Sequence, residues 1–195
     1  MTKWLVAAVI GLLAAGALGA VKQPKAKQFV AIDRCLRSGG AWDLREHRCQ
    51  DALPGPIDRI LVDKSDHRMM VFRDGTLIRE FRIALGRGGL APKQRQGDRR
   101  VPEGEYEINF HNAASGYHRS LRIGYPTPSQ VEAARLAGFS PGNDIMIHGL
   151  PNGMGAIGSR HVLRNWTDGC IAVTNQEMDW LFTAVPDGTV IEIRA

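Results

Sequence analysis

The run ILVDKSDHRMMVFRDGTLIREFRIAL, residues 60–85, constrains the fold more than any other stretch. Ile60 and Val62 recur two apart, and Phe81, Ile83 and Leu85 keep the same period of two, as half-buried strands do. Between the apolar runs stands Arg73-Asp74-Gly75-Thr76, whose Asp-Gly pair suits a tight hairpin turn. Further apolar runs follow at EYEINF, SLRIGYP, DIMIHG and TVIEI, separated by glycine-rich and proline-rich loops. The 22 glycines fit a turn-rich β protein. The expected class is mostly β, with one or two helices packed on a curved sheet.

Two segments read as helices. Ser129 to Ala137 has Ser129 as its expected cap and Gly138 as its stop. The second begins at a Thr-x-x-Glu capping box, Thr174 and Glu177. Met178, Leu181, Phe182 and Val185 then form one apolar face, and Pro186-Asp187-Gly188 ends it.

The N-terminus divides the chain. Lys3 precedes an uncharged run from Trp4 to Val21, which reads as a signal peptide or an uncleaved membrane anchor. Residues 1–21 are therefore an export segment, 22–56 a linker with a small cysteine hairpin, and 57–195 the main domain. Cys35 and Cys49 lie fourteen apart around a Gly-Gly turn, and in an exported chain they read as a disulfide. Closing such a loop contributes about 3 kcal/mol in the chain-entropy model. The net charge of +5 is scattered along the sequence; a mildly basic surface suits an anionic polymer, and no nucleic-acid partner is expected.

Pairing Cys35 with Cys49 leaves Cys170 alone, in NWTDGCIAVTN. A nucleophilic thiol needs a base within hydrogen-bond reach and N–H donors for the oxyanion. The glycine before Cys170 lets the backbone turn sharply. His148, at the end of DIMIHG, is the candidate base, although a lone histidine and a lone cysteine also fit a packed core. GRGG, at 86–89, lacks the Lys-Ser/Thr ending of a phosphate loop. His111, His118 and His161 show no ligand spacing, so neither a metal nor a cofactor is expected.

IMIHG followed by TDGCIAVTN resembles the signature of the L,D-transpeptidases, the YkuD-type domains. GDRRVPEGEYEI resembles their Gly-Asp-x-x-Thr-Pro-x-Gly-x-Tyr segment, with Val101 in the place of Thr. The resemblance covers roughly residues 57–194. It implies a β-sandwich-like catalytic domain that acts on peptidoglycan stem peptides. Cys170 would attack the L,D bond after the diamino acid, and His148 would take its proton. The Gly149 carbonyl would orient the imidazole, and the amides of Gly169 and Cys170 would hold the oxyanion. An amine of a second stem, a lysine of a wall-linked protein, or water would resolve the thioester. Resolution by water would make the chain a carboxypeptidase or amidase, and an inactive wall-binding module is a further alternative. The only membrane contact implied is the N-terminal segment, if it is kept.

Two positions depart from that pattern. Asp168 stands where the family has His before Gly-Cys, and Ala172 where Arg often follows. A carboxylate beside the sulfur disfavours the thiolate. Asp168 is thus expected to point away, to bind the amine of an acceptor, or to be compensated by Arg160, Arg164 or His161. Arg164 and Trp166 are candidate substrate contacts.

Overall fold

The computed structural model describes residues 30–35, 40–43, 47–51 and 55–195. The expected export segment lies outside them. Residues 30–35 are helical (α1). Strands β1 (Gly40–Asp43) and β2 (Arg48–Asp51) form a hairpin, and Cys35 is disulfide-bonded to Cys49. The main run comprises β3 (Arg59–Asp63), β4 (Arg68–Arg73), β5 (Thr76–Arg82), β6 (Gly104–Asn112), β7 (Ser120–Ile123), helix α2 (Pro128–Leu136), β8 (Met146–His148), β9 (Ile171–Ala172), helix α3 (Asn175–Ala184) and β10 (Val190–Arg194). Among the described residues the ten strands form one sheet, in the order β2-β1-β5-β4-β3-β10-β6-β7-β8-β9.

The period-two pattern becomes the core as expected. Ile60, Val62, Phe81, Ile83 and Leu85 are buried, and Asp74 and Gly75 take φ of +49° and +74°, both left-handed as a primed hairpin turn requires. Helix α3 lays Met178 and Leu181 on this core. Burying each stabilises the fold by roughly 1.5–3 kcal/mol. Its capping box forms as read: the Thr174 side chain accepts from the Glu177 amide, and the Glu177 carboxylate accepts from the Thr174 amide. Helix α2 is capped two residues earlier than expected, by Thr127 and not Ser129. Thr127 and Gln130 form the capping box and Pro128 occupies the first turn, where a missing N–H costs nothing. The motif Thr-x-x-Gln with a following proline was present in the sequence.

The sheet bends at an irregularity in β6 between Ile108 and Phe110, and beyond it the strands curl round. The edge strand β9 then meets the continuation of β5. Ala84 and Ala172 exchange both backbone hydrogen bonds (3.0 and 2.8 Å), and Arg87 N–H donates to the Thr167 carbonyl (3.0 Å). This seam pairs an edge that would otherwise be open. Cys170 lies on it.

Candidate active site

Strands β8 and β9 run parallel, with His148 opposite Ala172. Ile147 and Ile171 point into the core, so His148 and Cys170 emerge on the other face. Both line one cleft of about 270 Å³, together with Tyr117, Asp144, Met146, Trp166 and Asp168.

The imidazole of His148 is buried, and its Nδ1–H donates to the Gly149 carbonyl at 2.7 Å. With Nδ1 carrying the proton, Nε2 has a free lone pair. Burial pushes the His148 pKa down to about 4; the Gly149 carbonyl opposes this and nearby His161 adds to it. Tyr117 packs on His148 with ring centroids 4.5 Å apart, and Trp166 meets it edge-on at 5.6 Å. Tyr117 has no local signature, because it arrives from the β6–β7 loop.

Gly149 is glycine for a packing reason. A Cβ there would stand 2.8 Å from Asn175 Oδ1 and 3.0 Å from the His118 Cβ. Asn175 Oδ1 in turn accepts from the Leu150 amide at 2.8 Å, fixing the turn that presents the Gly149 carbonyl.

Cys170 Sγ contacts two backbone groups of the loop entering β8. The Met146 amide donates to it at 3.4 Å, and the thiol donates to the Asp144 carbonyl at 3.6 Å. Burial pushes the thiol pKa up, with Asp144 and Asp168 adding to the effect, while the Met146 amide and Lys93 oppose it. The resting pair is thus a neutral thiol beside a neutral imidazole. The Met146 amide is a sulfur partner that sequence reading missed.

Gly169 takes φ of +125°, and a Cβ would sit 2.9 Å from the Arg100 carbonyl, so glycine is required. Its amide, expected at the oxyanion, instead donates to Thr167 Oγ1 at 3.3 Å. Thr167 Oγ1–H passes the bond on to the Cys170 carbonyl at 2.7 Å. Of the two amides expected at the oxyanion, the Cys170 amide is the remaining candidate.

Asp168 is 72% exposed and is compensated, but by residues other than those expected. Arg87 donates to its Oδ1 from Nη2 (2.8 Å) and Nε (3.0 Å), and Arg99 Nε lies 3.4 Å from the same oxygen. Two guanidinium groups on one carboxylate make this rim net positive, which argues against capture of a cationic amine by Asp168. The arginines come from the 86–100 loop. Asp98 braces that loop, accepting from Lys93 Nζ and the amides of Gln94, Arg95 and Arg100. Burial works against the Asp98 carboxylate, yet these bonds hold its pKa down at about 2. Gly86 and Gly88 let the backbone of Arg99 and Asp98 pass against them, which explains GRGG without a phosphate. Arg164 and His161 do not line the catalytic cleft; with Arg160 and Trp166 they line a second cavity beside it. A 3₁₀ segment, Gly155–Leu163, builds that cavity within what reads in sequence as a plain loop.

Residues 57–193 match the YkuD family, the L,D-transpeptidase catalytic domain. The chain belongs to this family. It is similar to "Putative L,D-transpeptidase YafK" of Escherichia coli (strain K12), 34% identical over 116 residues, or 58% of this chain and 39% of that one. It is also similar to "Putative L,D-transpeptidase YqjB" of Bacillus subtilis (strain 168), 28% identical over 153 residues, covering 78% and 77% of the two chains. The crystal structure of Pgp2 from Campylobacter jejuni, a helical cell shape determining protein, shares the fold with a TM-score of 0.55 at 23% identity over 83% of this chain and 54% of that chain. The chain thus spans about two fifths of YafK and about half of Pgp2. L,D-transpeptidases act in general on peptidoglycan stem peptides.

Proposed function

We propose that the chain is an exported cysteine acyltransferase that acts on peptidoglycan stem peptides through a thioester on Cys170. The observation that supports this most is the tautomer of His148. Its Nδ1–H is committed to Gly149, which leaves Nε2 as the basic nitrogen, and His148 and Cys170 line the same cleft. Export fits the Cys35–Cys49 disulfide, which belongs to an oxidising compartment.

Because both partners rest neutral, Cys170 must give its proton to His148 for the sulfur to attack. Sγ bonds to the carbonyl carbon of the diamino acid while its proton passes to His148 Nε2. The carbonyl electrons move to oxygen, with the Cys170 amide as donor. On collapse the C=O re-forms and the C–N bond breaks. His148 returns the proton to the departing amine, which leaves as D-alanine and a Cys170 thioester. An acceptor amine then attacks the thioester and gives its proton to His148. Sγ leaves and is reprotonated.

The test is incubation with a purified tetrapeptide stem, with products and intact protein read by mass spectrometry. Loss of D-alanine with a mass gain on Cys170 is the expected result. A cross-linked dimer indicates transfer and a tripeptide indicates hydrolysis. No adduct, and no turnover with or without an added amine, would overturn the reading.

A further inference from the structure

The catalytic cleft holds one carboxylate that no protein cation answers. Asp144 and Asp168 are its acidic lining residues, and among the described residues no lysine or arginine lines it. Asp168 is met by Arg87 and Arg99. Asp144 is exposed, and its side chain forms no hydrogen bond or ion pair among the described residues. Backbone fixes its place beside the nucleophile. The Asp144 carbonyl accepts from Cys170 Sγ at 3.6 Å, and the Met146 amide, two residues on, donates to the same sulfur. Burial is the main reason the Cys170 thiol pKa is raised, and of the two charges that add to it Asp144 contributes more than Asp168. An unanswered anion beside a sulfur that must lose a proton works against the reaction unless the substrate brings the cation. His148 does not supply it, because burial holds its pKa at about 4 and the ring is neutral at neutral pH.

We infer that Asp144 selects the donor stem, by holding the free side-chain ammonium of the diamino acid whose carbonyl Cys170 attacks. The inference takes its substrate class from the acyltransfer reading above. The cation belongs to the donor and not to the acceptor. An attacking amine must be neutral, and a carboxylate beside it favours its protonated form. The donor's ammonium takes no part in the bond changes and only has to be held. Once seated, it offsets the Asp144 charge at Cys170, so the sulfur gives up its proton more readily with the right stem bound than in the free enzyme. A stem whose side-chain amine is already tied up as an amide lacks that charge and is the poorer donor. Asp144 is thus a specificity residue, and no proton passes through it.

The probes are a purified tetrapeptide stem blocked at its N-terminus and the same peptide acetylated on the side-chain amine. Binding is measured by calorimetry on the full chain carrying Cys170→Ala, which cannot turn either over. The free amine should bind about three- to tenfold more tightly. Adding Asp144→Asn should erase that preference. Asparagine accepts the left-handed backbone at residue 144, φ +56°, as aspartate does, so the loop is kept. Adding Asp168→Asn should leave the preference intact, since Asp168 is already held by two arginines. With Cys170 present, Asp144→Asn should speed alkylation by iodoacetamide at neutral pH about two- to threefold. It should at the same time lower kcat/KM for D-alanine release from the free-amine stem and not from the acetylated one, a pair of opposite effects that a merely structural residue would not produce. Equal binding of the two peptides, binding of neither, a preference that survives Asp144→Asn, or alkylation that does not speed up would each overturn the inference. So would slower capture of the thioester by an acceptor amine with donor binding unchanged, which would assign Asp144 to the second step. If the preference is present but the chain with Cys170 forms no adduct, the acyltransfer reading falls and the amine site stands.

Discussion

His148 Nδ1 and the carbonyl of Gly149, its neighbour in the chain, are joined by a 2.7 Å hydrogen bond that sets which nitrogen of the buried imidazole is basic. The pKa of that base, about 4, sets the pH behaviour. The acidic limb of the kcat/KM profile should fall near pH 4 and not near 6.5. His148→Gln should remove the limb and lower the rate by roughly 10²–10⁴. A wild-type limb near 6.5 would contradict the burial argument.

The same burial affects stability. The folded pKa lies below the unfolded one, so between pH 6.5 and about 4 only the unfolded state takes up the His148 proton. Stability should be full above pH 6.5 and fall progressively to pH 4, by up to about 3 kcal/mol from this residue. His161 shifts in the same direction. Denaturant melts at several pH values, compared with those of His148→Gln, measure the slope. Equal slopes would exclude His148 as its source.

Cys170 should be the one free thiol, and a slow one. Labelling of unfolded, unreduced protein should find a single thiol, because Cys35 and Cys49 are joined. In the folded protein, alkylation should rise with pH to above the ordinary thiol pKa, as burial dictates. Cys170→Ala should abolish acylation by a carbapenem while changing stability by less than about 1–2 kcal/mol. Three labelled thiols, or an adduct on the alanine variant, would refute these assignments.

Asp168→Asn and Arg87→Gln should act in opposite directions. Removing the carboxylate leaves Arg87 and Arg99 uncompensated at the rim and should speed alkylation of Cys170 by iodoacetamide at neutral pH about two- to threefold. Arg87→Gln frees part of the Asp168 charge and should slow it. Neither should change stability by more than about 1 kcal/mol, since the pair is exposed. If Asp168→Asn instead lowered the transfer-to-hydrolysis ratio with alkylation unchanged, amine capture by Asp168 would be restored.

What could be read from sequence was local. The Asp74-Gly75 turn, the strands around it and the Thr174–Glu177 box rest on residues a few positions apart, where periodicity and capping chemistry suffice, and the Cys35–Cys49 pair closes a loop of only fourteen. The missing parts are all long-range. The Ala84–Ala172 seam joins residues 88 apart, Arg87 and Arg99 reach Asp168 from another loop, and Tyr117 reaches His148 from the β6–β7 turn. Backbone donors such as the Met146 amide have no side-chain signature at all. Thr127 is a different case. Its Thr-x-x-Gln box is as local as the Thr174–Glu177 one, but Ser129, two residues on, is an equally good cap by residue type, and only the backbone distinguishes them.

Gly149→Ala tests the link between packing and the base. The added methyl would press on Asn175 Oδ1 at 2.8 Å, the His118 Cβ at 3.0 Å and the Tyr117 carbonyl at 3.1 Å. Two of these neighbours are hard to move: Asn175 is held by the Leu150 amide, and the Tyr117 carbonyl is backbone that accepts from the Arg119 amide. The turn must therefore give, and with it the carbonyl that orients His148. A misplacement near 1 Å costs about 10²-fold in rate, so kcat should fall by roughly 10–100-fold. KM should change less, because Gly149 does not line the catalytic cleft. Asn175→Ala removes the nearest clash but also the Leu150 acceptor, so alone it should loosen the same turn. Combined with Gly149→Ala it should cost less than the two single changes together, since both act through one contact. Strict additivity of the two in kcat would mean that the Gly149 carbonyl is positioned by something other than the Asn175 brace.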